Sequence, residues 1–263
     1  MRVREALAET ERRLGAGGID TPRVDAEWLV AHVLGVSRTD IYAREEIDAS
    51  ALEPLVARRE RREPLAYVLG EWGFRRLTLK TDRRALVPRP ETEVLVDRAL
   101  ALIHGLRAPR VLDVGVGGGA IALAIADEHP DAQVTGVDTS AEALALAREN
   151  ADRLGLRVDL QAGGLDAAAG GWDLVVANPP YVRPADWAEL QPEIQEWEPR
   201  AALVGEDMHE ELVRIAHTRA LAVEVGDGQA DQVAAAFADS GYGDIRITPD
   251  FTGRERVVEG RTT

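Results

Sequence analysis

Residues Val111-Leu112-Asp113-Val114-Gly115-Val116-Gly117-Gly118-Gly119-Ala120 decide the fold. The first four make a short apolar run interrupted by one carboxylate, the pattern of a strand buried on both faces. The glycines that follow allow a tight turn and a close approach of backbone to ligand. Ala120 to Ala126 then opens a helix. Gly115, Gly117 and Ala120 satisfy G-x-G-x-x-G/A in the strand–turn–helix setting that gives the pattern meaning. A nucleoside-containing cofactor is the expectation.

Downstream the rhythm repeats. Gln133 to Asp138 reads as a second strand, and Thr139-Ser140-Ala141-Glu142 as the capping box of the next helix. Val158 to Gln161, Leu174 to Ala177 and Leu221 to Val225 read as strands three to five. Alternation of strands and helices predicts an α/β fold with a parallel, doubly wound sheet. Ile245-Arg246-Ile247, the turn Pro249 to Gly253, and Arg256-Val257-Val258 predict a closing strand–turn–strand with an antiparallel edge. Asp138 ends the second strand, where a carboxylate can accept both hydrogen bonds of a ribose diol. Asp113 stands just before the glycines. Its charge opposes a pyrophosphate and suits an ammonium, which favours S-adenosylmethionine over a nicotinamide dinucleotide.

The fourth strand runs into Asn178-Pro179-Pro180-Tyr181. Two prolines end the strand and supply no N–H, and Pro180 keeps Pro179 extended. Asn178 therefore brings a side-chain carbonyl to a strand's end beside a rigid backbone carbonyl. Tyr181 adds a flat ring with a polar tip. Two acceptors and a plate suit a planar –NH2 group. In open α/β sheets ligands sit outside the carboxyl ends of the strands, so Asp113, Asp138 and Asn178 are expected around one crevice.

Upstream, residues 1–71 read as a helical domain. Val3, Ala6, Leu7 and Leu14 recur at helical spacing, Thr21-Pro22 starts a second helix, Ser37 a short third, and Asp48 caps a fourth. Arg58, Arg59, Arg61 and Arg62 read as a solvated helix end, with a docking patch for an acidic or RNA-bearing partner as the other possibility. Residues 72–88 suggest a hairpin around Thr81-Asp82 and serve as linker. Pro88-Arg89-Pro90-Glu91-Thr92-Glu93 opens a helix at the head of a second domain, 89–263.

The net charge is −15. Residues 1–80 hold 14 Lys+Arg against 14 Asp+Glu, so the whole excess falls on 81–263. An acidic surface repels phosphates and disfavours nucleic acid as partner. There are no cysteines, which excludes disulfides, thiolate metal sites and a cysteine nucleophile. No apolar run approaches a membrane span of roughly 18 residues, and the N-terminus has no signal-peptide core. A cytoplasmic, monomeric protein without a metal is expected.

Taken together, these residues resemble the bacterial peptide-chain release-factor glutamine methyltransferases (the HemK/PrmC type) over nearly the whole chain. The resemblance rests on Arg62-Glu63-Pro64-Leu65-Ala66-Tyr67, Leu86 to Glu93, the glycine loop into Ala120-Ile121-Ala122-Leu123, and Asn178 to Tyr181. It continues in Glu198-Pro199, Glu224-Val225-Gly226 with Gln229, and Asp250 with Gly253 and Arg256. It implies a class I, Rossmann-like methyltransferase sheet behind a small helical domain that docks a peptide chain release factor. It implies methyl transfer from S-adenosylmethionine to the glutamine amide of the factor's Gly-Gly-Gln loop. By resemblance Asp113, Gly115, Gly117, Gly119, Asp138, Leu165 and Asn178 contact the cofactor. Asn178, Pro179, Pro180 and Tyr181 contact the acceptor, with Arg89, Glu91 and Thr92 lining or bracing its pocket.

The chain departs from the family pattern at Val116 and Gly118, where Thr and Ser are usual, and at Arg76, where glycine is usual. Gly163-Gly164-Leu165 replaces Gly-Asp-Leu, with Asp166 one residue late. The segment from Gly205 to Ala222 lacks a glycine-rich turn, from which a damaged fifth strand is expected. The competing readings are an adenine amino-methyltransferase, which shares Asn-Pro-Pro-Tyr, and a cofactor-binding module with little catalysis.

Overall fold

The structure, a computed structural model, describes residues 1–262. Its first elements are α1 (Val3–Ala16), α2 (Pro22–Leu34), α3 (Ala49–Glu60), α4 (Leu65–Leu69), β1 (Glu71–Phe74) and β2 (Leu77–Lys80). Then come α5 (Thr92–Ile103), β3 (Arg110–Val114), α6 (Ala120–Glu128), β4 (Gln133–Asp138), α7 (Ala141–Leu154), β5 (Asp159–Ala162) and β6 (Leu174–Ala177). The chain continues through α8 (Pro192–Trp197), α9 (Met208–Ile215), β7 (Ala220–Glu224), α10 (Ala230–Asp239), β8 (Tyr242–Pro249) and β9 (Glu255–Thr262). Two compact units result: Met1–Glu71 with Leu190–Trp197, and Trp72–Glu189 with the chain from Glu198 onward.

In the first unit Val3, Ala6, Leu7 and Leu14 are buried, the spacing read from sequence, and Leu29, Val30 and Val56 of the next helices are buried with them. Asp48 caps α3 by accepting from Ser50 N at 2.8 Å. The segment after Ser37 is a 3-10 turn, Asp40–Ala43, in place of a helix. The arginine run also differs from expectation. Arg59 is buried and pairs with Asp25 at 2.7 Å and Glu193 at 2.9 Å. Arg62 meets the same Glu193 at 2.6 Å, and Arg58 pairs with Glu63. Most of the run is thus an internal ion-pair network. Glu193 belongs to α8, and its two arginines hold that returning segment on the first unit.

The second unit starts with the β1–β2 hairpin, whose turn is Arg75-Arg76; the sequence had suggested Thr81-Asp82. Arg75 takes a left-handed φ of +52°. It is held there because its N–H donates to Glu93 Oε1 at 2.8 Å and its guanidinium pairs with Glu128 and Asp97. Asp82 instead folds back on Arg84 N at 3.1 Å, making a local turn of its own.

The main sheet has seven strands in the order β5-β4-β3-β6-β7-β9-β8. The first five are parallel; β9 runs antiparallel to β7, and β8 antiparallel to β9. Strand periodicity divides the core into two faces. Val111, Leu174, Val176, Ala220 and Ala222 pack with residues of α5, α6 and α7. Leu112, Val114, Val175, Ala177, Leu221 and Val223 pack with α9 and α10. Burial on both faces explains the continuous apolar runs.

β7 is intact, contrary to the expectation of damage. All five of its residues are buried, and it pairs with both β6 and β9. The short connection from α9 replaces the missing glycine turn with extended chain. His217 N donates to Ala168 O, Trp172 N to His217 O and Arg219 N to Trp172 O, at 2.9–3.1 Å. Both backbone groups of His217 and the N–H of Arg219 are therefore already paired before the strand begins. Among the described residues no helix is long and apolar enough to cross a membrane, and no cluster of His, Asp or Glu could hold a metal ion.

Candidate active site

A cavity of about 360 Å³ opens where β3, β4 and β6 end. Register brings these ends together: Asp113 lies opposite Gly136 in β4 and Val176 in β6, and Val114 opposite Ala177. The glycine turn forms one wall. Gly115 N and Val116 N both donate to Val137 O at 2.9 Å, which pins the turn to β4. Gly117 has φ +55°, a conformation that glycine adopts without strain. Val116, where a hydroxyl was expected, is buried over Gly136, whose would-be Cβ lies 2.6 Å from Val116 Cγ2. Only a glycine in β4 leaves room for that side chain.

Asp138 faces the cavity from the end of β4. Its Oδ2 accepts from Gly117 N at 2.9 Å and its Oδ1 from Ser140 N at 2.8 Å. Each oxygen keeps a lone pair, so the carboxylate is oriented and still able to accept a diol. Gly115, Gly163, Gly164 and Leu165 also line the cavity. Asp166 does not; it is exposed and turned back to accept from Gly164 N at 3.3 Å.

Asp113 and Gly119 lie behind the turn, outside the lining. Asp113 is fully buried. Its Oδ2 accepts from Ala122 N at 3.0 Å in the first turn of α6, while Oδ1 has no partner among the described residues. Burial, with a smaller effect from the Asp138 charge, pushes its pKa up to about 7. The carboxyl therefore holds the first turn of α6 and does not face the cavity. Gly119 has φ +92°, a conformation that glycine adopts without strain, and a Cβ there would also press on Leu123 Cδ1 at 2.8 Å.

Asn178, Pro179 and Pro180 form the opposite wall. Asn178 Nδ2 donates to the buried Thr92 Oγ1 at 3.3 Å. Tyr181 is not in the lining. Its Oη approaches Glu224 Oε1 at 3.4 Å and its main-chain oxygen accepts from Gln229 Nε2 at 3.2 Å. Burial, reinforced by the Glu224 charge, pushes the phenol up to about 12. The ring therefore fastens the loop from behind. Arg89 lines the cavity and pairs with the buried Glu198, which also accepts from Val87 N at 3.1 Å. Thr92 lines the cavity; Glu91 does not.

Four residues of the site had no role in the sequence reading. Glu198 and Gln229 hold the Arg89 segment and the Tyr181 loop. Glu224 is 1% exposed, and burial pushes its pKa up to about 7. Asn150 is fully buried and bridges β2 to the glycine turn: it accepts from Lys80 N at 2.7 Å and donates to Gly118 O at 2.9 Å. It falls on the apolar stripe of α7 with Ala143, Leu146, Ala147 and Ala151. A lone amide on such a stripe is the signal that could have found it.

The donor set fits a nucleoside bearing a cationic tail: an oriented carboxylate, backbone at a glycine turn, and a buried acid with one oxygen unpaired.

The chain is similar to known proteins in sequence and in fold. Residues 5–70 match the family model of the PrmC N-terminal domain, and 92–192 that of the methyltransferase small domain. The release factor glutamine methyltransferase of Geobacter sulfurreducens is 41% identical, over 98% of this chain and 96% of its own length. That of Deinococcus radiodurans is 42% identical over 99% of each chain. Among solved structures, the hMettl16 catalytic domain in complex with an RNA hairpin superposes with TM-score 0.59 at 15% identity, over 84% of this chain and 85% of its own. A 16S rRNA methyltransferase of T. thermophilus, in complex with AdoMet and guanosine, gives TM-score 0.53 at 15% identity, over 73% and 50%. At such identities the structural likeness is one of fold.

Proposed function

The chain belongs to the family of release factor glutamine methyltransferases, and from that premise we propose that it methylates the side-chain amide of the glutamine in the Gly-Gly-Gln loop of peptide chain release factors. The observation that carries this reading is Asn178, at the end of β6, facing a cavity that also holds Asp138. S-adenosylmethionine, the cofactor of this reading, supplies an electrophilic methyl group on a sulfonium. Asp138 would hold its ribose diol, the turn from Gly115 to Gly117 its amino-acid tail, and Gly163 to Leu165 its base. The buried Asp113 favours the ammonium through the turn.

The acceptor is a poor nucleophile because its nitrogen lone pair is delocalised into the carbonyl. Asn178 Oδ1 and the Pro179 carbonyl can each accept one N–H. Two acceptors out of the amide plane favour a pyramidal nitrogen and free its lone pair along the line of attack. Orientation of this kind contributes several kcal/mol on its own, about 7 or more in well-aligned systems. Pro180 holds the loop rigid, Tyr181 and Gln229 fasten it, and Arg89 with Glu198 shapes the acceptor side. Residues 1–71, joined in the first unit by Leu190–Trp197, are the docking body for the factor; residues 72–88 lead into the catalytic part, the rest of 89–263. In this reading the enzyme acts as a cytoplasmic monomer.

The test is transfer of labelled methyl from S-adenosylmethionine to a purified release factor, with the Gln→Ala variant of its Gly-Gly-Gln loop as control. Label on the intact loop alone is the expected result. Label on adenine in DNA or RNA, with none on the factor, would replace this reading.

A further inference from the structure

We infer that three carboxylates outside the cavity lining, Asp82, Glu149 and Glu198, reverse the sign of the wall's charge and so favour the cationic S-adenosylmethionine over its uncharged product, S-adenosylhomocysteine. This rests on the cofactor named above and not on the identity of the acceptor.

The charges in the lining have the wrong sign for such a cofactor. Three cations, Lys80, Arg84 and Arg89, line the cavity with one carboxylate, Asp138. S-adenosylmethionine carries an ammonium and a sulfonium against a single carboxylate, so it is itself a net cation. A cleft with two positive charges in excess repels it.

Each of the three cations is held from outside the lining. Lys80 Nζ meets Glu149 Oε2 at 2.6 Å. Arg84 Nη1 meets Glu149 Oε1 at 2.7 Å, and its Nη2 meets Asp82 Oδ2 at 2.8 Å. Arg89 pairs with the buried Glu198. Counted with these partners, the wall holds three cations and four carboxylates, one negative charge in excess. Asp113, buried behind the glycine turn, adds to that sign when ionised. Glu149 is charged at neutral pH, because bonds from Arg84 and Lys80 hold its pKa down at about 2. One carboxylate thus serves two cations of the wall.

Lys80 ends β2, Arg84 lies in the connection to α5, and Glu149 belongs to α7. The next residue of α7, Asn150, accepts from Lys80 N at 2.7 Å and donates to Lys80 O at 3.1 Å. These backbone bonds fix the strand end on α7 independently of the Glu149 charge. Asp82, Glu149 and Glu198 act through the cations they hold, which makes them positioning residues. Methyl transfer turns the sulfonium into a neutral thioether, so the attraction is present before the reaction and falls once it is complete. Cofactor and product share ribose and base, and charge is what tells them apart.

Glu149→Gln frees the Lys80 charge and keeps the shape of the side chain. Calorimetry at low ionic strength should show Kd for S-adenosylmethionine raised about two- to fivefold, the scale of exposed charge interactions, with Kd for S-adenosylhomocysteine changed by less than about 1.5-fold. In about 1 M salt, where the screening length is about 3 Å, the difference should vanish. Lys80→Met combined with Glu149→Gln removes the whole pair and should return Kd for S-adenosylmethionine to the wild-type value. A merely structural role for Glu149 would weaken both compounds alike. Equal weakening of the two, no weakening of S-adenosylmethionine, or failure of the double variant to restore it would overturn the inference. Wild type that binds neither compound would overturn the cofactor reading and the inference with it.

Discussion

Gly117 N–H donates to Asp138 Oδ2 at 2.9 Å, so the glycine turn after β3 and the end of β4 are held by one carboxylate. Ser140 N–H satisfies the other oxygen at 2.8 Å. The same side chain thus orders the turn and presents two lone pairs to the cavity.

Replacing Asp138 by Ala removes the acceptors proposed for the diol and leaves the Gly117 and Ser140 N–H groups without this partner. Hydrogen bonds to charged groups contribute about 1.5–3 kcal/mol each. Kd for S-adenosylmethionine should rise about a hundredfold or more by calorimetry, with much of kcat recovered at saturating cofactor. An unchanged Kd would remove Asp138 from the cofactor's contacts.

Asn178→Ala acts on the other substrate. Its side chain meets Thr92, and its oxygen is the acceptor proposed for the glutamine N–H. An interaction made mainly in the transition state appears in kcat. Turnover should fall about a hundredfold while Kd for S-adenosylmethionine stays within about threefold, the scale seen when one oriented group is removed. Wild-type turnover would exclude orientation by this amide.

Much of this site is written locally. The apolar run before Gly115, the alternation of strands and helices, and Asn178 at the end of a four-residue strand are each set by neighbouring residues. What the sequence does not show depends on distant partners. Arg59 reads as solvated until Asp25 and Glu193 are brought to it. Arg75 makes a turn because Glu93, Asp97 and Glu128 surround it. Asp113, read as facing an ammonium, turns instead to Ala122 N because the first turn of α6 offers an unpaired donor. β7 survives without its glycine turn because Ala168 and Trp172 pair with the chain ahead of it.

Gly164 is the departure that can be repaired. Its φ of −120° and ψ of −154° suit any residue, and a Cβ would meet nothing nearer than Asp166 Oδ1 at 3.5 Å. Gly164→Asp restores a carboxylate on the cavity wall where the base is proposed to lie. One added hydrogen bond, discounted for the like charge of Asp166, predicts about three- to tenfold tighter S-adenosylmethionine binding by calorimetry. Weaker binding would mean that the base lies elsewhere.

Asp113 links the site to stability. Burial raises its pKa from 3.8 to about 7, so the native state binds a proton that the unfolded chain has released. Its contribution is full below the unfolded value and is lost as pH rises through about 7. Glu224, also raised to about 7, acts in the same sense, while His209, lowered by burial, acts oppositely. Asp113→Asn removes only the first of these. Its Oδ1 can keep the bond from Ala122 N, and any cost of the new –NH2 is independent of pH over this range. Chemical denaturation of the cofactor-free proteins at pH 5, 6, 7 and 8 should therefore show the variant gaining on wild type as pH rises. The gain should be about 2–3 kcal/mol across the series, since roughly two pH units of the shift fall between pH 5 and 8 and each corresponds to about 1.4 kcal/mol. A constant difference between the two proteins would mean that Asp113 titrates alike in the folded and unfolded states.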